Sequence, residues 1–400
     1  MRTSGVAFAF LALRSKISGR FACSNDVCGV LQATGAIDLS DVDSRRILIL
    51  DPASSCCFNE LESAGCQITP AHGLSDAELE QVLPGYDAVV VRSANRITRS
   101  MLVASPRVAV VGRAGSGVDN IDLDAASELG VPVVNAPTGN TGSVAELVLG
   151  LMLGVSRSIT PAHDTMRRGE WAKKSFSGRT LRGKTLGIVG FGSVGQEVAR
   201  LAVAFGIVVM IAEETKPPTL GKEHERDAAT SKRAQVAGGI GVTLPPLQLD
   251  ELLMKSDYVS LHVPLTAGTK GMIAARELAL MKESAVIVNT ARGGLLDERE
   301  LLRALEGGRL GGAALDVFES EKAPLEDHVI SLCRLPNVIC MPHVGGSTEE
   351  AGELVLAQVC SAVVSALDGT LPPSRIVNGN PDASLRLARL QNGGAGYSTL

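Results

Sequence analysis

The sequence predicts an α/β protein built from two doubly wound parallel sheets. Three observations carry this. Short, continuous apolar runs recur along the chain with helical stretches between them. Strands covered on both faces of a parallel sheet read this way, whereas half-exposed strands alternate apolar and polar residues. The runs fall into two series separated by one long apolar helix, and the second series opens on a strand, a glycine-rich turn and a helix.

Residues 1–44 stand apart. Arg2, Arg14, Lys16 and Arg20 precede the first acid, Asp26, and Phe8, Phe10, Leu11 and Leu13 suit one face of a short helix. Such a basic, acid-free leader reads as an organellar transit peptide. A secretory signal around 5–13 and an untargeted extension are the alternatives. Targeting would take the chain to an organelle matrix, mitochondrion or plastid; otherwise it belongs in the cytoplasm.

The first strand series is expected at Arg46–Asp51, Asp87–Arg92, Val108–Gly112 and Val131–Asn135. A long helix should follow from Ser143 to about Arg168, with Ser143 as N-cap and Glu146 completing a capping box. Leu147, Leu149, Leu151, Met152 and Leu153 make it apolar on more than one face, so it should lie at an interdomain or intersubunit position. The second series is expected at Lys184–Gly190, Val208–Ala212, Tyr258–Leu261, Ala285–Asn289, Ala313–Asp316 and Val338–Cys340. A helix from Thr348 to Leu367 closes it, and residues from Asp382 read as a poorly ordered tail. The polar stretch 214–241 is too long for an ordinary βα connection. It is either an exposed insertion or a contribution to the adenine end of a cofactor.

Composition narrows the function. The 400 residues carry 38 Lys+Arg against 43 Asp+Glu, a net charge of −5, and 45% are hydrophobic. The mean hydropathy is +0.19. A slightly acidic chain with 3% aromatic residues is poorly suited to nucleic acid. No uncharged apolar run reaches the roughly 18 residues of a membrane span, so neither partner is expected. Eight cysteines, at 23, 28, 56, 57, 66, 333, 340 and 360, contain no CxxC pair. They read as reduced, mostly buried thiols, and no metal site is expected.

Gly190-Phe191-Gly192-Ser193-Val194-Gly195 is a GxGxxG between a predicted strand and a predicted helix. That context makes it a dinucleotide-binding, Rossmann-type turn. Gly190 permits the tight turn, Gly192 admits the pyrophosphate to the backbone, and Gly195 lets the helix pack on the strand. Free N–H groups at the helix N-terminus attract the phosphates. Glu213 ends the next strand, where a carboxylate accepts the ribose hydroxyls and repels a 2′-phosphate, which favours NAD over NADP.

Three further segments, 289–294, 315–321 and 342–348, each follow a predicted strand at the carboxyl edge of the same sheet. They bring an Arg, a carboxylate and a His to the edge where ligands sit. Arg292 can hold a substrate carboxylate by a forked, charge-assisted pair. His343 suits the proton transfer that accompanies oxidation of an α-hydroxy acid, and Glu321 can orient the imidazole and stabilise its protonated form.

These segments resemble the D-isomer-specific 2-hydroxyacid dehydrogenases. So do 111–122, 135–140, Arg168-Gly169-Glu170-Trp171 and 312–318, and the likeness runs from about Arg46 to Asn380. The resemblance implies that Arg292, Glu321 and His343 are catalytic. It assigns Ser193 and Val194 to the pyrophosphate, Glu213 to the ribose, and Thr290, Ala291 and Asp316 to the nicotinamide. Gly345 and Gly346 are expected beside the cofactor. It places Gly115, Ser116 and Gly117 at the substrate carboxylate, and Arg92, Ser93 and Arg113 near a substrate phosphate.

The resemblance also implies the domain layout. The Rossmann domain, 137–345, is inserted into a discontinuous flavodoxin-like substrate domain, 45–136 with 346–380, leaving 381–400 as a tail. The helix at Ser143 resembles the family's dimerisation element, so a homodimer or homotetramer is expected. The chain departs from the family where Lys322, not Pro, follows Glu321; this leaves Glu319 as a rival partner for His343, with spacing from Asp316 favouring Glu321. Some members carry C-terminal serine-sensing domains, and feedback through one is not expected here.

The expected reaction is NAD-linked oxidation of D-3-phosphoglycerate to 3-phosphohydroxypyruvate, the first step of phosphorylated serine synthesis. A glyoxylate/hydroxypyruvate reductase or another D-2-hydroxyacid dehydrogenase is the alternative. A third reading, from another class, is an NAD-sensing scaffold or corepressor on the same fold.

Overall fold

A computed structural model describes residues 44–50, 58–212 and 243–379. The leader, the tail, Glu213, the 214–241 stretch, and Cys23, Cys28, Cys56 and Cys57 lie outside the described residues. The chain divides into two compact units. One takes the described residues up to Gly139 and again from Gly352; the other is Asn140–Ala351.

In the first unit five parallel strands, β1 (Arg45–Ile49), β2 (Cys66–Pro70), β3 (Ala88–Val91), β4 (Val110–Arg113) and β5 (Val133–Asn135), lie in the order β2-β1-β3-β4-β5. This is the flavodoxin-like order. Within each apolar run, successive side chains enter different cores, as the two-residue period of a strand requires. Ile47, Ile49, Ala88 and Val90 pack with Val355, Val359 and Val363 of the helix Glu349–Leu367. Leu48, Val89, Val91 and Val111 pack on the other face with Leu79, Leu102 and Ala125. Gly112 lets that long helix approach β4; a Cβ there would lie 2.9 Å from the Cγ2 atoms of Val359 and Val363. The helix is long and apolar enough to cross a membrane, and here it fills the core of this unit. Thr348 accepts the Ala351 N–H at its start.

The second unit holds β6 (Thr185–Val189), β7 (Val208–Ala212), β8 (Thr243–Leu247), β9 (Tyr258–Leu261), β10 (Val286–Asn289), β11 (Gly312–Leu315) and β12 (Val338–Cys340). Their order is β12-β11-β10-β9-β6-β7-β8, all parallel. The chain winds from β6 to β8 in one direction and returns to β9 on the other side of β6. That reversal is the topological switch point, where a doubly wound sheet takes its ligand.

Two strands escaped the sequence reading. β2 has one buried residue in five and carries Gln67, Thr69 and Pro70; among the described strands it pairs with β1 alone. β8 contains Pro245 and Pro246 and among the described strands pairs with β7 alone, with a register shift. Both are edge strands, which tolerate proline and need no continuous apolar run.

The expected helix from Ser143 to Arg168 is two helices, Thr141–Ser156 and Ile159–Arg167, bent by 65°. Ser158 breaks them in the left-handed region, at φ 48°. Nor is Ser143 the N-cap. Asn140 holds that position without a side-chain cap, and Ser143 lies one turn in, where its Oγ donates to the Asn140 carbonyl at 3.0 Å. A hydroxyl already inside the helix satisfies itself on the preceding turn rather than capping it. The first helix is buried on most sides: Val144, Ala145, Val148, Leu149 and Met152 are buried, and all but Val144 share a core with Leu186, Ile188, Val198 and Ala199.

The division between units falls at 139/140 and 351/352, a few residues beyond the expected 136/137 and 345/346. Local packing explains the difference. A Cβ on Gly139 would meet the Val355 backbone at 2.8 Å, whereas the Asn140 amide lies against Gly346.

Among the described cysteines, Cys66 and Cys360 are buried, Cys340 is half-buried, Cys333 is exposed, and all four are free thiols. Among the described residues no His, Cys, Asp and Glu cluster could hold a metal ion.

Candidate active site

The site in the second unit begins where β6 ends. Gly190 has φ 102°, a backbone open to glycine, and a Cβ there would lie 2.7 Å from the His262 carbonyl after β9. A Cβ on Gly195 would overlap the Gly190 carbonyl, so the helix Ser193–Ala204 packs at the closest approach a backbone allows. Gly192 precedes that helix with nothing within 4 Å of its Cβ position. That opening faces the first-turn N–H groups of Ser193, Val194 and Gly195, which have no intrahelical acceptors. An open glycine beside free helix N–H groups suits a pyrophosphate.

The loop after β10 carries Thr290, Ala291 and Arg292. Asn289, buried at the strand end, shapes it. Its Oδ1 accepts the Ala291 N–H at 3.1 Å and its Nδ2 donates to the Arg292 carbonyl at 2.9 Å. Arg292 donates from Nη1 to the Ala291 carbonyl at 2.6 Å. Thr290 Oγ1 is buried and has no hydrogen-bond partner among the described residues, as is true of Asn140 Oδ1 and Thr141 Oγ1. Such groups call for an occupant.

Asp316 follows β11 and is buried. Its two carboxylate oxygens accept the Val344 and Gly345 N–H groups at 2.8 and 2.7 Å. Burial pushes its carboxyl above the usual range, against the pull of those two N–H groups. Asp316, expected at the nicotinamide, thus also pins the loop that carries His343. His343 itself sits at φ 55°, in the left-handed region that histidine, asparagine and aspartate enter more often than other side chains.

His343 Nδ1 lies 2.8 Å from Glu321 Oε2, and Glu321 Oε1 accepts the Phe318 N–H at 3.4 Å. Burial would raise the Glu321 carboxyl, but the His343 hydrogen bond and charge, the Phe318 N–H and the Arg292 charge together hold it below the usual range. Of the two candidate acids, Glu321 therefore faces the histidine. Glu319 lies 3.7 Å from Lys270. With Nδ1 bonded to a carboxylate, Nε2 is the ring nitrogen left for substrate.

The expected phosphate-side residues belong to the first unit. Arg92 and Arg113 are half-buried and Ser93 is exposed. Arg113 Nη1 donates to the Ala114 carbonyl at 3.2 Å, its guanidinium folded over Gly115 where a Cβ would lie. Asparagines build these loops. Asn120 Nδ2 donates to the Arg92 and Asn95 carbonyls at 2.6 and 2.7 Å, and Asn135 Nδ2 donates to the Ser116 carbonyl at 2.6 Å. Sequence reasoning missed Asn120, Asn135 and Asn289. Asn135 and Asn289 end strands and Asn120 lies in the loop after β4, and an amide at such a place by itself reads as a turn residue.

A parallel sheet whose switch point bears a glycine turn, with Arg, Glu and His loops at its carboxyl edge, defines a nicotinamide-dinucleotide-dependent oxidoreductase. The family model for the D-isomer specific 2-hydroxyacid dehydrogenase NAD binding domain matches residues 149–345. The chain is 42% identical to D-3-phosphoglycerate dehydrogenase of Methanocaldococcus jannaschii over 82% of its own length and 58% of that protein. It is 38% identical to hydroxypyruvate reductase of Thermotoga maritima, over 80% of this chain and 98% of that one. Among solved structures, D-lactate dehydrogenase from Aquifex aeolicus, complexed with NAD and lactic acid, superposes with a TM-score of 0.69 at 26% identity, covering 84% of this chain and 99% of that one. The chain belongs to the D-isomer-specific 2-hydroxyacid dehydrogenases and carries their NAD-binding domain. It spans just over half the length of the phosphoglycerate dehydrogenases it matches.

Proposed function

We propose that the chain oxidises D-3-phosphoglycerate to 3-phosphohydroxypyruvate with NAD, the step that opens phosphorylated serine synthesis. The observation that carries the chemistry is the 2.8 Å contact between His343 Nδ1 and Glu321, on the sheet edge that also presents Arg292. Likeness to several D-3-phosphoglycerate dehydrogenases supports the substrate.

Arg292 holds the substrate carboxylate by a forked, charge-assisted pair. His343 takes the hydroxyl proton on Nε2 as the carbonyl forms, and Glu321 stabilises the resulting imidazolium. Asp316 keeps the histidine loop in place through Val344 and Gly345. Ser193, Val194 and the glycines around them hold the pyrophosphate, with Thr290, Ala291, Gly345 and Gly346 at the nicotinamide end and Glu213 at the ribose. NAD held by these residues would supply the acceptor for the hydride that leaves the substrate carbon. Gly115–Gly117 would meet the carboxylate, and Arg92, Ser93 and Arg113 the phosphate.

A second reading, hydroxypyruvate reductase, is favoured by one observation: the chain spans 98% of the Thermotoga maritima reductase. NADH oxidation at 340 nm with phosphohydroxypyruvate, hydroxypyruvate, glyoxylate and pyruvate separates the two. A hundredfold preference in kcat/KM for the phosphorylated acid, about 3 kcal/mol, supports the first reading. Hydroxypyruvate or glyoxylate ahead, above all with NADPH, supports the second. Arg92→Ala should raise KM for the phosphorylated acid far more than for hydroxypyruvate; equal effects discard the phosphate role.

The same reading makes the protein a homodimer or homotetramer. Ile159 and Met166, seven residues apart on one helix face, are 53% and 54% exposed, and Trp171 is 81% exposed. Large apolar side chains left in water suit a subunit interface. Light scattering on the purified protein tests this, and a monomer rejects it. The basic leader suits import into an organelle matrix, and a fluorescent fusion of residues 1–44 that stays cytoplasmic would reject that.

A further inference from the structure

We propose that Glu298 and His328 form a buried clamp that sets the catalytic acid and the catalytic arginine in register, acting through the Phe318–Glu319 peptide. The inference rests on the reading of Arg292, Glu321 and His343 given above, none of which Glu298 touches in that scheme.

Glu298 opens the helix Glu298–Glu306, whose N-cap is Asp297, and it is one of few buried acids, at 7% exposure. Its Oε1 accepts the Glu319 N–H at 2.6 Å and its Oε2 faces His328 Nε2 at 2.9 Å. The His328 side chain, on the helix Asp327–Arg334, is 10% exposed. Its Nδ1 lies 3.4 Å from Glu326 Oε2 without hydrogen-bond geometry. Facing a carboxylate, Nε2 carries a proton. Each Glu298 oxygen thus has its own donor, as a buried carboxylate requires.

The clamped peptide occupies a critical position. Its N–H is held by Glu298, and its carbonyl side packs directly on Gly293, where a Cβ would overlap Phe318. Gly293 is the neighbour of Arg292. Glu321 lies two residues beyond Glu319 and accepts the Phe318 N–H. One peptide unit therefore touches both loops, and its position fixes the spacing between the arginine that holds substrate and the acid that orients His343. A helix-borne carboxylate holds that peptide more rigidly than water would. Displacing a catalytic group by about 1 Å costs on the order of 100-fold in rate. Glu298 and His328 are positioning residues: they contact neither substrate nor cofactor in this scheme.

The test compares Glu298→Ala, Glu298→Gln and His328→Ala with wild type. The readouts are kcat and KM for the best of the four acids above, NADH affinity by fluorescence, and hydrogen exchange of the peptide spanning 317–321. Glu298→Ala should lower kcat tenfold or more, with NADH affinity within twofold and KM within threefold, and should expose the Glu319 amide to exchange. Glu298→Gln should retain kcat within threefold, because its amide oxygen still accepts the Glu319 N–H and its NH2 can donate to the other His328 tautomer. His328→Ala should fall between them. Equal losses in Glu298→Ala and Glu298→Gln, or losses carried by KM or NADH affinity instead of kcat, would overturn the proposal. If Glu298→Ala does not fold, unchanged kcat and exchange in His328→Ala would overturn it. Were wild type inactive on every acid, the proposed function would fail, while amide protection that is lost in the variants would still establish the clamp.

Discussion

At the residue scale, the site is an arrangement of hydrogen bonds made by loops whose backbones are themselves held. His343 is oriented by Glu321 from one side and carried on a loop that buried Asp316 pins. His343→Ala should cut turnover by about 100- to 10,000-fold while leaving NADH affinity near wild type, as fluorescence titration would report; unchanged turnover would remove the histidine from the mechanism. Glu321 supplies a second prediction with a definite sign. Its folded pKa is depressed, so its stabilising contribution is present above the ordinary carboxylate pKa and is lost as pH falls through the depressed value. Glu321→Gln should therefore melt below wild type at pH 7, and the gap should close in acid. The two side chains are 43% and 40% exposed, which limits the deficit at pH 7 to about 1 kcal/mol or less. A gap that widens in acid would contradict the assignment.

At the element scale, the strand–turn–helix at 185–204 is the part most legible in the sequence. Its glycines meet conditions the motif itself specifies, Gly190 by its φ and Gly195 by the Gly190 carbonyl, while the His262 carbonyl after β9 crowds Gly190 as well. Gly195→Ala should push the helix off the strand, weakening NADH binding at least tenfold and destabilising the unit by about 1–3 kcal/mol. Calorimetric titration and a urea melt would measure the two effects, and wild-type binding would show that the turn tolerates a Cβ. Central strands were equally legible, because burial on both faces writes an unbroken apolar run. The edge strands β2 and β8 were not, since one covered side leaves room for Gln67, Thr69 and the prolines. The helix bend at Ser158 was also illegible. Apolar periodicity continues through it, and nothing in a serine codon announces a left-handed backbone.

At the scale of the whole molecule, two units each carry their own sheet and core. The glycine turn, Thr290, Asp316, Gly345 and the proposed catalytic set all lie within Asn140–Ala351, whereas Ile47 is fully buried in the other unit. Ile47→Ala should cost about 2–5 kcal/mol through the cavity it leaves, with NADH affinity unchanged. A parallel loss of NADH affinity would mean that the two units do not keep their functions apart.

The sequence by itself determined the sheet class and the dinucleotide turn, and it singled out Arg292 and His343 as candidates, because each depends on residue type at short spacing: burial, backbone freedom or ionisable chemistry just beyond a strand. It left Glu319 and Glu321 as rivals, and only the folded loop turned Glu321 towards the histidine. It also left Asn120, Asn135, Asn289, Glu298 and His328 without a role. Those side chains act on backbone groups distant in sequence, such as Asn120 on the Arg92 carbonyl and Glu298 on the Glu319 N–H. Such contacts depend on how parallel strands bring separate loops to one sheet edge, and no local spacing records that placement.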